Sequence, residues 1–183
     1  MARRKDVSKP QILDAAQSLL SSLGVNGFST RQLADELGIS SASLHHHFPT
    51  KGDLTAGVVA RCREQTNGRL AEIAAEIEGF ESRVRHFIEA MAPDALLLTM
   101  IAADFPTLPA VAQGEARQLF TNVLGWLTRF AAQAEADGEL RGDDVPEHVA
   151  AGVLSRVMGR ALLSRITSPG SASMPAMTWA WQR

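Results

Sequence analysis

Residues 28 to 54 read FSTRQLADELGISSASLHHHFPTKGDL, and this stretch decides the fold of the N-terminal third of the chain. Ser29 and Gln32 form an S-x-x-Q capping box, which predicts a helix that begins directly after the serine. Gly38 ends this helix after about two turns, because glycine is the residue that best tolerates the left-handed conformation past a helix end.

A second short helix follows the glycine. Ser40 can cap it, and the pattern predicts a helix over residues 41 to 47, with Leu44 as its inward anchor and Pro49 beyond its end. Two helices of about two turns each are marginal in isolation. They therefore need other helices as a platform.

The flanking segments predict that platform. Residues 8 to 23 carry apolar residues at helical spacing behind a serine cap, and Gly24 ends the segment. A second helical phase runs from Asp53 to about Phe80. Runs of alternating β-branched residues are absent, so the sequence predicts an all-α fold with an N-terminal three-helix helix-turn-helix domain.

In a helix-turn-helix the second helix enters the major groove of DNA. The outward residues of the predicted second helix are small or polar, which lets a helix approach base edges closely. Residues 1 to 53 carry six basic against five acidic residues, whereas the whole chain of 183 residues has a net charge of −2. The sequence therefore predicts a double-stranded DNA partner for the N-terminal third, and the basic residues at positions 3 to 5 form either a solvated tail or a DNA-binding arm.

Several function classes find no support in the composition. The single cysteine, Cys62, excludes an intramolecular disulfide framework and favours the cytoplasm. The longest apolar run, residues 95 to 103, is too short to span a bilayer, so no membrane partner is predicted. No nucleophile–base pair, phosphate loop or H-E-x-x-H motif is present, which predicts a protein that is not an enzyme and has no cofactor.

The run from His45 to His47 does not predict a metal site. Consecutive helical residues point about 100° apart, so the three imidazoles cannot chelate one ion together. No metal is therefore expected, and these histidines are interpreted as DNA-facing.

The rest of the chain predicts a helical body. Helices are expected over about 81–91, 95–103, 111–137 and 146–166. The last two are expected to form a homodimer interface, a four-helix bundle with two helices from each subunit. Residues expected to line an apolar ligand pocket are Phe87, Met91, Leu97, Met100, Ile101, Phe105 and Trp126, with Arg83, Asp104 and Arg129 as polar candidates.

The stretch from Phe28 to Leu54 resembles the tetracycline-repressor (TetR) family of bacterial transcription regulators. The resemblance is specific over about residues 8 to 58 and architectural beyond that. The matching positions are Phe28, Ser29, Thr30, Leu33, Ala34, Gly38, Ile39, Ser40, Leu44, His47, Phe48, Lys51 and Leu54. The resemblance implies a homodimer that binds a palindromic operator, usually as a repressor, and that leaves the DNA when an unidentified small molecule fills the body.

The resemblance also implies site residues. The positions expected to contact DNA are Thr30, Arg31, Ser41, Ser43, His45, His46, His47 and Lys51. Thr30, His47 and Lys51 are expected to hold phosphates, and Arg31, Ser41, Ser43 and His46 are the candidates to face bases or the adjacent backbone. His45 departs from the family pattern, which usually has tyrosine there, but it can still donate a hydrogen bond to phosphate.

These observations give a domain plan and two function classes. The DNA-binding domain is predicted over residues 1–52, the ligand-binding and dimerisation domain over 53–166, and a flexible tail with Trp179 and Trp181 over 167–183. The first function class is a cytoplasmic, ligand-responsive DNA-binding repressor. The second is a helical interaction protein that uses the helix-turn-helix for protein contacts.

Overall fold

The computed structural model describes residues 7–140 and 144–167, and within these ranges every regular element is helical. The predicted basic arm at 1–6 and the tail from residue 168, with Trp179 and Trp181, lie outside the described residues. The α-helices are α1 (Lys9–Leu23), α2 (Thr30–Leu37), α3 (Ser41–His47), α4 (Lys51–Glu76), α5 (Phe80–Met91), α6 (Ala95–Ala103), α7 (Ala110–Ala136) and α8 (Pro146–Thr167). The all-α prediction is confirmed for this part of the chain.

The predicted helix bounds agree closely with the structure, except around α4. The sequence pattern placed the end of α4 near Phe80, but α4 ends at Glu76 and Phe80 begins α5. Gly79 separates them at φ +75°, a backbone conformation that favours glycine. The Phe80 N–H then donates to the Glu139 carboxylate at 3.2 Å, so a distant residue stabilises the new helix start.

The described chain divides into two compact units. The first comprises residues 7–65 and 96–119, and the second comprises the described residues within 66–95, 120–140 and 144–167. Helices α4, α6 and α7 each contribute residues to both units. This grouping by packing differs from the functional plan of 1–52 and 53–166, which stays a prediction.

The first unit has its core where α1, α2, α3 and the start of α4 meet. Its fully buried side chains include Ile12 and Leu20 of α1 and Leu33 of α2. Gly57 of α4 allows a close approach, because a Cβ there would lie 3.1 Å from Phe48 Cε1. Burial of these large apolar side chains, each contributing about 1.5–3 kcal/mol, holds two helices that are too short to fold alone.

The second unit has its own core around Phe87, which is fully buried on α5. The Phe87 ring stacks on Trp126 of α7 with 5.9 Å between centroids, and Trp126 Nε1 donates to the Leu70 carbonyl of α4 at 3.0 Å. Asp94, only 5% exposed, accepts a hydrogen bond from Arg69 at 2.6 Å. The buried carboxylate therefore has a charged partner, as burial of an ion requires.

Residues 80–103 are long and apolar enough, by length and composition alone, to cross a bilayer. In the structure they form two helices, α5 and α6, that are separated by a short 3-10 turn. Core helices of water-soluble proteins pass the same compositional test, so this feature is weak support for a membrane span.

Candidate nucleic-acid interface

The helix-turn-helix is fixed by caps that the sequence itself supplies. Ser29 Oγ accepts the Gln32 N–H at 3.1 Å, and Ser40 Oγ accepts the Ser43 N–H at 3.1 Å. Both serines have extended backbone, as N-cap residues do. Each cap satisfies an N–H that would otherwise lack a partner, so the starts of α2 and α3 are set locally.

The turn between α2 and α3 depends on Gly38. Its φ of 68° and ψ of 31° are left-handed, and its N–H donates to carbonyls of the last turn of α2. The Ile39 N–H donates to the Ala34 carbonyl at 3.0 Å, which closes the same turn. A residue with a Cβ would be strained at this φ, so the glycine sets the change of direction before α3.

The start of α4 has a reciprocal cap. The Asp53 carboxylate accepts from the Thr50 N–H at 3.0 Å and from the Thr50 hydroxyl at 2.7 Å. The Asp53 N–H in turn donates to Thr50 Oγ1 at 3.0 Å. Thr50 and Asp53 therefore cap the start of this helix reciprocally, and Lys51 takes the first position of α4.

The inward side of this module is closed and its outward side is polar. Leu33, Leu44 and Phe48 are each at most 5% exposed. The side chains of Arg31, Ser41, His45 and His46 are exposed, whereas those of Thr30, Ser43, His47 and Lys51 are half-buried. All eight residues predicted to contact DNA thus lie on α2, on α3 or at the first position of α4, within the first unit.

Lys51 makes a contact that the sequence did not predict. Its ammonium donates to the Phe28 carbonyl and lies 4.5 Å from the centroid of the Phe28 ring. Burial lowers the pKa of Lys51, because removing the ammonium from water disfavours its charged form. An ammonium has three N–H donors, so this contact leaves two of them for a phosphate. The same contact joins the start of α4 to the residue that precedes the cap of α2.

Sequence reasoning also missed Lys9. The Lys9 ammonium lies 5.3 Å from the centroid of the Phe48 ring, which directly follows α3. It adds a cation beside Phe48, the residue after α3. A tertiary contact over 39 positions has no local signal, although the position of Lys9 beside the basic N-terminal residues was visible in the sequence.

The module is attached to two other parts of the first unit. Arg61 of α4 donates to Asp14 at 2.7 Å and to Gln17 at 2.8 Å, both on α1. The Val25 N–H, in the turn after α1, donates to the Asp104 carboxylate at 2.6 Å. Asp104 was a polar candidate for the ligand pocket, but in the structure its carboxylate binds the turn between α1 and α2.

The predicted pocket residues are mostly core residues. Phe87, Met91, Leu97 and Ile101 are at most 1% exposed, and Trp126 is 8% exposed, whereas Met100 and Phe105 are half-buried. They are distributed between the two units. Arg83, another polar candidate, lies over the Phe130 ring at 4.2 Å from its centroid.

A groove of about 320 Å³ lies between α4 and α7 in the second unit. Its lining residues are Asn67, Leu70, Ala71, Ala74, Asn122, Gly125, Trp126 and Arg129. Of the predicted pocket residues only Trp126 lines it, together with Arg129 from the polar candidates. Within residues 7–140 and 144–167, no three His, Cys, Asp or Glu side chains are grouped as a metal site would need.

The fold and the capped, polar-faced α2–turn–α3 define a helix-turn-helix protein with an all-helical body. Residues 12–58 match the family model described as "Bacterial regulatory proteins, tetR family". The chain is 30% identical over 139 residues to the HTH-type transcriptional repressor KstR2 of Rhodococcus jostii, a match that covers 75% of this chain and 61% of that protein.

Solved structures of two TetR-family regulators share this fold over most of the chain. A TetR-family regulator from Agrobacterium tumefaciens has a TM-score of 0.78 and 28% identity, and covers 88% of this chain and 87% of its own. A TetR regulator from Legionella pneumophila has a TM-score of 0.77 and 26% identity, covering 90% of both chains. Residues 12–58 therefore carry the DNA-binding region of the TetR family of bacterial regulatory proteins. The chain spans 61% and 42% of the length of the first two curated relatives that it matches.

Proposed function

We propose that this chain is a DNA-binding transcriptional regulator, a repressor that binds a palindromic operator as a homodimer and is released by a small molecule. The observation that carries the proposal is the exposed polar face of α3 on a capped and packed helix-turn-helix. Ser41, His45 and His46 project from α3 into solvent, whereas Leu44 anchors it to the core. This side-chain arrangement fits a helix whose exposed residues contact base edges in the major groove.

In this proposal the contacts divide into two kinds. Phosphate contacts position the protein and come from Thr30, His47 and Lys51, to which the structure adds Lys9 as a nearby cation. Base-edge contacts come from the exposed residues of α3 and from Arg31. Residues 1–52 would form the DNA-binding domain and residues 53–166 the ligand-binding and dimerisation domain, in a protein that works in the cytoplasm.

Repression is supported by the name of one relative, the transcriptional repressor KstR2 of Rhodococcus jostii. A repressor blocks transcription by occupying its operator, so it needs no activating contact with the polymerase. The sign of regulation can be tested with a reporter gene under the promoter that flanks this gene. Higher expression after deletion of the regulator supports repression, and lower expression contradicts it.

The homodimer is supported by an apolar surface at the end of α8. Leu162, Leu163 and Ile166 are 46%, 61% and 79% exposed, which is unusual for three large apolar side chains so close together. The predicted occupant is the same surface of a second copy, paired about a two-fold axis. Such a dimer would present two α3 helices to half-sites about 34 Å apart, one turn of DNA.

The oligomeric state tests this part directly. Light scattering on the purified chain at micromolar concentration is expected to give the dimer mass, and Leu163→Glu is expected to give a monomer. Leu23→Glu is the matched control, because Leu23 on α1 is also exposed, at 46%. A wild-type monomer, or equal effects of the two variants, contradicts dimerisation through α8.

The function is tested by fluorescence anisotropy with labelled duplexes that tile the DNA flanking this gene. One duplex should bind at nanomolar concentration with steep salt dependence, well above a shuffled duplex of equal length. Binding that does not distinguish these duplexes would favour the alternative, a helical interaction protein that uses α3 for protein contacts.

A further inference from the structure

The groove between α4 and α7, here the α4–α7 groove, has a regular construction. Its residues on α4 are 67, 70, 71 and 74, and on α7 they are 122, 125, 126 and 129. On each helix the spacing is i, i+3, i+4 and i+7, which places four side chains on one helix face over two turns. Two turns rise about 10 Å, so the groove suits an elongated molecule of about that length.

The ends of the groove differ chemically. At one end Asn122 Nδ2 donates to Asn67 Oδ1 at 3.1 Å, and these two residues are called the amide pair below. This bond does not use the Asn122 carbonyl oxygen, an acceptor, or the Asn67 amide NH2, a donor, so both can bind a ligand. Ala74 and Arg129 lie two turns away, at the other end.

The Arg129 end is positively charged. Arg129 is exposed, and among the described residues its guanidinium has no carboxylate within ion-pair distance. Its guanidinium carbon lies 4.8 Å from the centroid of the Phe130 ring, within the range of a cation–π contact. A guanidinium has five N–H donors, so this contact leaves donors for a bidentate carboxylate.

The middle of the groove is apolar and open to solvent on one side. Leu70 and Trp126 form its floor and are at most 8% exposed, and Trp126 Nε1 is already used by the Leu70 carbonyl. Ala71 and Gly125 leave the space above this floor empty, since a Cβ built on Gly125 would meet no atom within 4 Å. A volume of about 320 Å³ is at the lower end of the range for small-molecule sites.

We propose that the α4–α7 groove is an effector site for an elongated organic carboxylate. The carboxylate binds the Arg129 guanidinium, and a flat apolar body lies over Leu70 and Trp126. A hydroxyl or carbonyl group at the far end binds the amide pair. This inference deepens the proposed ligand response by naming the site and the chemical class of its ligand.

The probe is 4-hydroxycinnamate, which is planar and carries a carboxylate at one end and a hydroxyl at the other. Isothermal titration calorimetry on the full chain is expected to show saturable binding of one probe per subunit. Arg129→Gln is expected to weaken binding at least about tenfold, since a charge-assisted bidentate contact is lost. The uncharged 4-hydroxycinnamamide should bind equally weakly to wild type and to this variant.

Gly125→Leu is expected to abolish binding, because the new side chain fills the groove. Gly114→Leu is its matched control: it lies on the same helix, its Cβ also meets no atom within 4 Å, and it does not line the groove. Both changes raise helix propensity alike, so thermal unfolding should show both variants folded.

The inference is overturned if binding of the acid is unchanged in Arg129→Gln or in Gly125→Leu, or if no saturable binding occurs up to about 10 mM. Anisotropy with the flanking duplexes separates this failure from failure of the DNA proposal. If the chain binds DNA but not the acid, only the proposed effector site is wrong. If the chain binds the acid in the groove but binds no DNA, only the proposed regulator function is wrong.

Discussion

The helix-turn-helix and the second unit are both helical, but they are stabilised by contacts of different range. In the helix-turn-helix the caps join residues three apart, such as Ser29 with Gln32 and Ser40 with Ser43. In the second unit the defining contacts join distant residues: Trp126 reaches Leu70 across 56 positions. A short sequence segment therefore specifies the helix-turn-helix, whereas the structure of the second unit depends on which helices pack against each other.

The two regions also differ in what they leave exposed. The helix-turn-helix exposes polar side chains over a closed core. The second unit exposes apolar side chains at the end of α8. It also has the α4–α7 groove, which Arg129 lines at one end. Polar exposure fits DNA, and apolar exposure fits a second protein copy or an organic molecule.

The largest expected effect comes from a substitution in the core of the helix-turn-helix. Leu44→Ala on α3 should lower the free energy of unfolding by about 2–5 kcal/mol, because Leu44 is 1% exposed and its loss leaves a cavity. Val145→Ala, at an exposed apolar side chain of the second unit outside the proposed dimer surface, should change it by no more than about 0.5 kcal/mol. Urea unfolding followed by circular dichroism measures both, and similar losses would show that the two regions do not differ as described.

The next effect concerns DNA affinity without a change in fold. Ser41→Glu places a carboxylate in the first turn of α3, where the helix dipole tolerates it but DNA phosphates repel it. We expect affinity for the operator to fall at least about 100-fold, with unchanged thermal unfolding. Ser82→Glu, in the first turn of α5, is the control and should bind as wild type does. If Ser41→Glu binds the operator as tightly as wild type does, the DNA-binding surface does not include the start of α3.

A smaller effect is expected at Lys51. Lys51→Ala should weaken binding to every DNA sequence about tenfold and reduce the salt slope by about one. Because Lys51 also donates to the Phe28 carbonyl, Lys51→Gln separates the two roles: it keeps a donor but not the charge. If Lys51→Gln binds DNA as wild type does, Lys51 positions α2 and holds no phosphate.

These residues show what sequence could and could not predict. The bounds of α2 and α3 followed from serine caps and one glycine, because those signals act within a turn of the chain. The contact between Asp104 and the Val25 N–H spans 79 positions, and no local pattern distinguishes it from a pocket carboxylate. The α4–α7 groove was missed for the same reason: its small residues, Ala71, Ala74 and Gly125, line a space only when two helices lie side by side.

The smallest expected effect comes from a single hydrogen-bond donor on α3. His45 is exposed on the face proposed to meet DNA. Its imidazole can donate a hydrogen bond to DNA, whereas the phenyl ring of His45→Phe cannot. Operator affinity should therefore fall a few-fold in His45→Phe at constant ionic strength, which anisotropy titrations measure.

His45→Tyr is the matched control. Position 45 usually holds tyrosine in the TetR family, and the tyrosine hydroxyl can donate a hydrogen bond as the imidazole does. Affinity in His45→Tyr should therefore stay near that of wild type. Wild-type affinity in His45→Phe, or an equal loss in both variants, would exclude a hydrogen bond from position 45 to DNA.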